Sequence, residues 1–360
     1  MEISIYIFGR RLFPMALINV AKARILCPIC GKPDWCMVSE DGKLALCQRI
    51  ANDHPNKKGG WWHSLSSDPI KNHKKRERRE KAPLHILNGI YREILKVFPL
   101  SDDHYLALRK RGLTSEEIYM HGYRSLPVER YQGIKKLEQI FKGYDLDRLF
   151  GSIPGICKRK GKSGGSYWWI QGGSGIIIPV LTIDKEVAGL QVRLDNPTSN
   201  TKYLNLSTDG YDKGTSCGIL THVALPSTLK TNDIWITEGT IKANVIMSRL
   251  QASAIGISGV AGWHDVLEII RNIHKKHNIS EGNIIIAFDA DYEQKEQVFY
   301  HMAEMYKAIE KEFDQDLHPI YFATWDIQKG KGIDDYVISG GFPLFVDMEE
   351  IQKKNGFKYL

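Results

Sequence analysis

Several things are missing from this 360-residue chain, and each absence narrows what it can be. No run of about 18 consecutive apolar residues occurs, so a membrane-spanning helix is not expected. The amino terminus, MEISIYIFGRRLFPMALINVAKAR, offers a six-residue apolar start broken by Arg10 and Arg11, which is a poor secretory signal. It reads as an edge strand, or as an extension before a true start at Met15. A phosphate-gripping Walker loop is lacking too. Gly155 to Lys162 in GICKRKGKSGG is one residue too long for G-x4-G-K-[ST], and SYWWI after it reads as strand. Such a loop needs a helix amino terminus to present its amides, so a Walker A nucleotide site is not expected here. Cysteine is scarce and uneven: four of the six fall between Cys27 and Cys47. That pattern points to a metal in an intracellular, cytoplasmic protein rather than to a disulfide scaffold.

What is present is enough for real cores. With 42% hydrophobic residues, a chain of this length is expected to form two or three domains. The net charge is +7, and IKNHKKRERREK (Ile70 to Lys81) alone carries seven Lys or Arg against two Glu. Such a run is either a solvated linker or a set of contacts to a phosphate backbone, which are salt-sensitive and blind to sequence.

The cysteines lie in CPICGKPDWCMVSEDGKLALCQR as Cys27-x2-Cys30, then Cys36 and Cys47. If Asp41-Gly42 forms a two-residue hairpin turn, Glu40 pairs with Lys43 and Cys36 comes to lie across from Cys47. All four sulfurs then converge in a manner that fits a closed tetrahedral Zn²⁺ site, which would supply much of the folding energy of so small a module. The second pair departs from the familiar C-x2-C knuckle. His54 or His63 is therefore the substitute should Cys36 not be a ligand, and a Cys36–Cys47 disulfide is the plain alternative. Trp35, Trp61 and Trp62 would either stack on unpaired bases or pack the module's small core.

The stretch that organises the rest is IIIAFDAD, Ile284 to Asp291. Its apolar run reads as a central strand of a parallel sheet, buried on both faces. Asp289 and Asp291 follow at the carboxyl end, the edge where open α/β sheets bind ligands, and two acids so close call for a cation, Mg²⁺ or Mn²⁺. Upstream, IWITEG supplies a second strand closed by Glu238, with Gly239 opening a helix to about Gln251. Downstream, PIYFATWD reads as strand, and the loop KGKGIDDYV holds Lys331, Asp334 and Asp335. Ala254 to Ile257 is a further strand, followed by the glycine-rich GISGVAGW.

This order of strand-Glu-Gly, strand-Asp-x-Asp and Lys-Gly-x-Asp-Asp resembles the TOPRIM domain of primases, topoisomerases and related nucleases. The helical section that begins at Leu84 leads to HYLALRKRGLTSEEIYMHGYRSLP, where Thr114 or Ser115 caps a helix with Glu116 and Glu117 in its first turn. It is similar to the opening of the polymerase core of DnaG-type primases, carried here by Tyr105, Leu106, Arg111, Gly112, Leu113, Gly122 and Tyr123. Between them, Gly175 to Ser207 reads as a small antiparallel sheet. It resembles the basic subdomain of the same proteins, which implies that Arg193, Lys202 and Asn205 face the cleft and hold template or nucleotide phosphate. The cysteine module resembles the zinc-binding domain that bacterial and phage primases use to recognise template. One departure is Lys242, four residues after Glu238, where DnaG-type primases carry Asp; a lysine there would either serve a triphosphate or be a core-edge or solvated side chain.

The expected fold class is α/β. An open, mainly parallel TOPRIM-type sheet flanked by helices is preceded by a mixed α+β primase-core subdomain and a small zinc ribbon. The expected domains are an N-terminal extension (1–24), the zinc ribbon (25–65), a basic linker (66–83), the primase-core N-terminal subdomain (84–232), the TOPRIM domain (233–345) and a C-terminal tail (346–360). The resemblance implies a primase-like nucleotidyltransferase of the kind carried by plasmids, phages and integrated elements. Glu238, Asp289 and Asp291 would hold Mg²⁺ or Mn²⁺, with Lys242, Asp334 and Asp335 completing the catalytic group. Arg193, Lys202, Asn205 and Lys331 would bind nucleic acid or nucleotide, and Cys27, Cys30, Cys36 and Cys47 would bind Zn²⁺. The implied partners are single-stranded DNA template, nucleoside triphosphates and a replicative helicase that supplies unwinding. Two alternatives stay open: a TOPRIM nuclease, and a non-catalytic zinc-dependent binder of single-stranded DNA. A topoisomerase is disfavoured because no tyrosine-bearing cleavage domain is recognisable.

Overall fold

The computed structural model describes residues 6–7, 10–11, 17–52, 54, 56, 59–65, 78–161, 164–198, 201–211, 213–259, 262–292 and 296–355. Most of the basic run, and Lys162, lie outside these residues. The chain divides into two compact units, Met1–Glu77 with Gly210–Asp212, and Arg78–Asp209 with Lys213–Leu360. The boundary expected at residues 232/233 falls inside the second unit.

In the first unit four strands pair antiparallel in the order Leu17–Asn19, Met37–Ser39, Leu44–Cys47 and Trp61–Ser64. Leu17–Asn19 is thus an edge strand of the cysteine module, and the module begins earlier than residue 25. The core is slight, with Val20, Val38 and Ala45 packed among Cys27, Cys36 and Cys47. A cluster this small buries too little apolar surface to fold on that basis alone. The hairpin turn departs from expectation. Gly42 N–H bonds to Ser39 O at 2.9 Å, which centres the turn on Glu40-Asp41, one residue early. The register survives because Ser39 Oγ accepts from the Leu44 amide at 2.9 Å and donates to Asp41 Oδ1 at 2.6 Å, so a side chain bridges the widened loop. Met37 still faces Leu46 and Val38 faces Ala45, which brings Cys36 level with Cys47.

The second unit is built on a six-stranded sheet. Its order is Thr221–Ala224, Ser253–Ile257, Ile234–Glu238, Ile284–Ala287, Ile320–Thr324, Leu344–Val346. The middle four strands are parallel and the two edges antiparallel. Alternation explains the layers. Ile234, Ile236, Ile284 and Ile286 pack against helices Val266–His277 and Glu296–Glu312 on one face. Trp235, Ile285 and Ala287 pack against helices Thr240–Leu250 and Ile333–Ile338 on the other. Strands buried on both sides must be apolar throughout, which is why IWIT and IIIA read as unbroken runs.

Ahead of this sheet, Arg124–Leu126, Gly175–Leu181, Val187–Thr198 and Thr201–Asn205 form a four-stranded antiparallel sheet. Its apolar face (Ile177, Leu190, Val192) meets Leu87, Ile90, Tyr91 and Ile94 of the helix Leu84–Val97. The helix Ser115–Met120 starts from a capping box, Thr114 and Glu117 each bonding the other's backbone. Ile156–Lys160 and Ser166–Ile170 pair as an antiparallel hairpin, so strand rather than helix follows the glycine-rich loop. No helix among the described residues is long and apolar enough to cross a membrane.

Candidate active site and candidate metal centre

Parallel register places the acids. Glu238 lies opposite Ile257 on one side, and Thr237 lies opposite Ala287 on the other. Glu238 therefore ends its strand level with Phe288, one residue before Asp289. The two carboxylates stand at the carboxyl ends of neighbouring strands, on the edge where the sheet opens to ligands. Gly239 makes the turn from strand into helix at φ +88°, a conformation that disfavours any side chain. Its amide bonds Ile257 O at 2.8 Å. The helix that follows has no acid in its first turn, so its positive end is left open toward the cleft.

A cavity of about 480 Å³ occupies this edge. Glu238, Lys242, Asp289, Lys331, Asp334 and Asp335 line it from the six-stranded sheet, and Arg111, Lys202 and Asn205 line it from the preceding region. Asp334 and Asp335 are not in a loop, as the sequence reading had them. They occupy the first turn of the helix Ile333–Ile338, whose positive end stabilises them. Arg193 does not line the cavity. It pairs in register with Tyr203, and its positive charge is felt at Lys202, whose pKa is lowered by burial first and then by Arg111 and Arg193.

Three of the acids, Asp289, Asp291 and Asp334, each answer to a different cation. Lys242 Nζ is ion-paired with Asp289 Oδ1. Lys331 Nζ reaches Asp291 Oδ2 at 2.8 Å, and the Ala290 amide bonds Lys331 O at 2.9 Å, tying the Asp-x-Asp turn to the later Lys-Gly motif. Arg111 Nη2 meets Asp334 Oδ2 at 2.5 Å, where the Asp334 side chain is wholly buried. Burial acts to lower the Arg111 pKa, but the charge of Asp334 outweighs it and the guanidinium is held above its ordinary value. Arg111 is the site residue that sequence reasoning missed. It was read as part of an Arg-Gly-Leu turn, and an arginine just before a glycine turn, with two acids unaccounted for downstream, was the available signal.

In the first unit the four sulfurs of Cys27, Cys30, Cys36 and Cys47 all lie within 4.8 Å of one another. Cys30 and Cys36 are 3.7 Å apart, and Cys36 and Cys47 are 4.0 Å apart. Tetrahedral Zn²⁺ with bonds of about 2.3 Å needs sulfurs about 3.8 Å apart, so the set fits zinc, and the thiols are free rather than bridged. Amides of Gln48 and Ile50 donate to Cys36 and Cys47 at 3.4 Å, and Arg49 Nη1 lies 3.8 Å from Cys36 Sγ. A four-thiolate zinc centre carries excess negative charge, and these donors offset it. His63 is committed elsewhere, to Asn52 and to Ile50 O, so Cys36 needs no histidine substitute. Among the described residues no group of three carboxylates converges as the sulfurs do.

A family model described as a domain of unknown function (DUF3854) matches residues 228–343. No curated protein matches the chain. Among solved structures, the zinc-binding and RNA polymerase domains of the Aquifex aeolicus primase align with TM-score 0.51 at 13% identity, covering 76% of this chain and 66% of that one. The RNA polymerase domain of Mycobacterium tuberculosis primase DnaG aligns with TM-score 0.50 at 18% identity, covering 71% and 81%. The same domain in complex with a double-stranded DNA oligomer bearing a 6-nucleotide overhang gives 0.51 at 18%, covering 72% and 80%. At such identities the likeness is one of fold: this chain has a mixed α/β fold resembling the DnaG primase core, together with a four-cysteine cluster able to bind zinc.

Proposed function

We propose that this chain is a metal-dependent, primase-type nucleotidyltransferase of TOPRIM type that makes short primers on single-stranded DNA from nucleoside triphosphates. The observation that carries the reading is the meeting of Glu238 and Asp289 on one strand-end rim, lining one cavity with Asp334, Asp335, Arg111 and Lys202. The donor set is all carboxylate, which suits Mg²⁺ or Mn²⁺. Asp334 Oδ1, buried and without a hydrogen-bond partner, marks a place where a cation or its water would be bound. Glu238, Asp289 and Asp291 are the residues assigned to hold the ion, with Asp334 and Asp335 in support. When bound there, a divalent ion would polarise the α-phosphate of the incoming nucleotide and ease loss of the primer 3′-hydroxyl proton.

The chain's own residues do the rest. Lys202, Arg111 and Lys331 supply the positive wall that draws the triphosphate and the template backbone into the cavity. Asn205, held by Gln191 Nε2 at 3.0 Å, orients a polar contact on the same wall. The open helix end at Thr240-Ile241 offers backbone amides to phosphate oxygens. The four cysteines hold Zn²⁺ in the module assigned to template recognition. Unwound DNA would come from a partner such as a replicative helicase, or unwinding would be unnecessary.

The test is direct. Purified protein with single-stranded template, nucleoside triphosphates and Mn²⁺ should yield short oligonucleotides, and Asp289→Asn should yield none. Cleavage of the template by wild type without synthesis would replace the reading with a TOPRIM nuclease. Neither activity under broad template and metal screening would leave a zinc-dependent DNA binder.

A further inference from the structure

Lys242 stands in an unusual place for a lysine. Its side chain is 17% exposed, and its ammonium is paired with Asp289, itself 21% exposed. Gly332 shows how tightly the lysine is seated. A Cβ on that glycine would fall 2.4 Å from Asp334 Oδ1 and 3.0 Å from Lys242 Cε, so the lysine stem and the unpartnered oxygen of Asp334 flank the same glycine. The lysine head lies among the acids and is not turned out to solvent.

The charge of the cavity follows from its lining. Glu238, Asp289, Asp334 and Asp335 bring four negative charges. Arg111, Lys202, Lys242 and Lys331 bring four positive ones. A two-metal phosphoryl-transfer site sets its ions about 3.5–4 Å apart around shared carboxylates. Here Asp289, at the strand-end rim, already holds a cation that is tethered to the chain. A second divalent ion would have to settle within a few ångströms of that ammonium in a partly desolvated cleft, where like charges repel strongly. We propose that the Lys242 ammonium takes the position of a second divalent cation beside Asp289, so that this cleft binds one divalent ion and not two. The inference rests on the metal-dependent reading above only in requiring that one ion binds.

Counting ions tests it without any turnover. With the cysteine module loaded with Zn²⁺, Mn²⁺ bound per full-length chain is measured by electron paramagnetic resonance for wild type and variants. Wild type and Lys242→Arg should each bind one Mn²⁺. Lys242→Asp should bind two and show the line broadening of a coupled pair. Lys242→Met, which keeps the buried stem should the aspartate variant fail to fold, should bind its ion at least about tenfold more tightly, because Asp289 is released. Two ions in wild type would overturn the inference and leave metal dependence standing. One ion in Lys242→Asp, or unchanged affinity in Lys242→Met, would also overturn it. No ion in wild type, with Asp289→Asn indistinguishable, would remove the metal-dependent reading itself.

Discussion

The cysteine cluster and the carboxylate rim are both candidate metal centres, and they solve the problem of assembling ligands in opposite ways. The four sulfurs already lie within 4.8 Å of one another. The rim carboxylates share an edge, but Asp289, Asp291 and Asp334 are each drawn to a different cation. The difference is one of charge. Burial pushes the Cys27 thiol up and Cys36 up to about 12, so most of the cluster's approach is between neutral groups, and only Cys30, brought down to about 7, carries partial charge beside Arg49. Carboxylates are charged at neutral pH and repel, so without a metal they are held apart by nearby lysine and arginine. The cluster is thus arranged so that a metal would complete its fold, whereas the rim is balanced by its own cations and would recruit metal for chemistry.

The contrast is sharpest if zinc is withdrawn. Chelation should remove a binding term on the order of 10 kcal/mol from the cysteine module, whose apolar core is little more than Val20, Val38 and Ala45. Hydrogen exchange should then show amides of Met37–Ser39 and Leu44–Cys47 losing protection while those of Ile284–Ala287 keep it. Equal protection in both, with zinc gone, would break the comparison.

At the rim the largest effect should come from Arg111. Arg111→Met would leave Asp334 buried and uncompensated, a loss of about 3–5 kcal/mol by urea unfolding. Adding Asp334→Asn should restore part of it, since the neutral amide needs no counter-charge. A double variant no more stable than the single would show that Arg111 acts through packing and not through charge.

How far the sequence revealed all this depends on what each feature rests upon. Strand ends were legible because a strand buried on both faces must be apolar, so Glu238 and Asp289 stood out as the first charges after IWIT and IIIAF. The register that aligns Cys36 with Cys47 was legible although the turn was misplaced, because Ser39 supplied with its side chain the bond a tighter turn would have made. The partners of the acids were not legible. Arg111 lies 223 residues from Asp334, and nothing local at either position announces the other. Lys242 could be placed on the helix beside the cleft, but whether its head would meet a phosphate or Asp289 depends on distances that only the fold sets. Arg193 was expected to face the cleft on resemblance; it pairs in register with Tyr203, which lines the cavity.

Neutral burial, the device of the thiols, recurs in the second unit in two histidines. Burial pushes His121 and His222 down to about 4. His222 accepts the Leu181 amide on Nδ1 at 3.0 Å and bonds Asn244 Oδ1 through Nε2 at 2.9 Å. Both folded values lie below the unfolded imidazole value of about 6.5, so between about pH 6.5 and 4 the unfolded chain binds more protons. Stability is full above that window and falls as the pH drops through it. Each imidazole should cost on the order of 2 kcal/mol between pH 7 and 5, read as a lower urea midpoint, and His121→Gln should reduce the slope. A midpoint that does not move between pH 7 and 5 would show that these rings are not buried neutral.

The smallest effect distinguishes the two rim lysines. Lys331 pairs with Asp291 much as Lys242 pairs with Asp289, yet its side chain is 55% exposed against 17% for Lys242. An exposed pair of this kind contributes at most about 1 kcal/mol and less as salt is raised. Lys331→Ala should therefore leave the urea midpoint almost unchanged in 0.5 M salt, where screening acts over only a few ångströms, while Lys242→Met shifts it clearly. One positive charge beside Asp291 would be gone, so Mn²⁺ affinity should rise slightly in Lys331→Ala, by less than in Lys242→Met. Equal effects of the two substitutions on both readouts would mean that burial does not separate the lysines, and that the rim's cations are interchangeable counter-charges rather than one fixed charge and one exchangeable one.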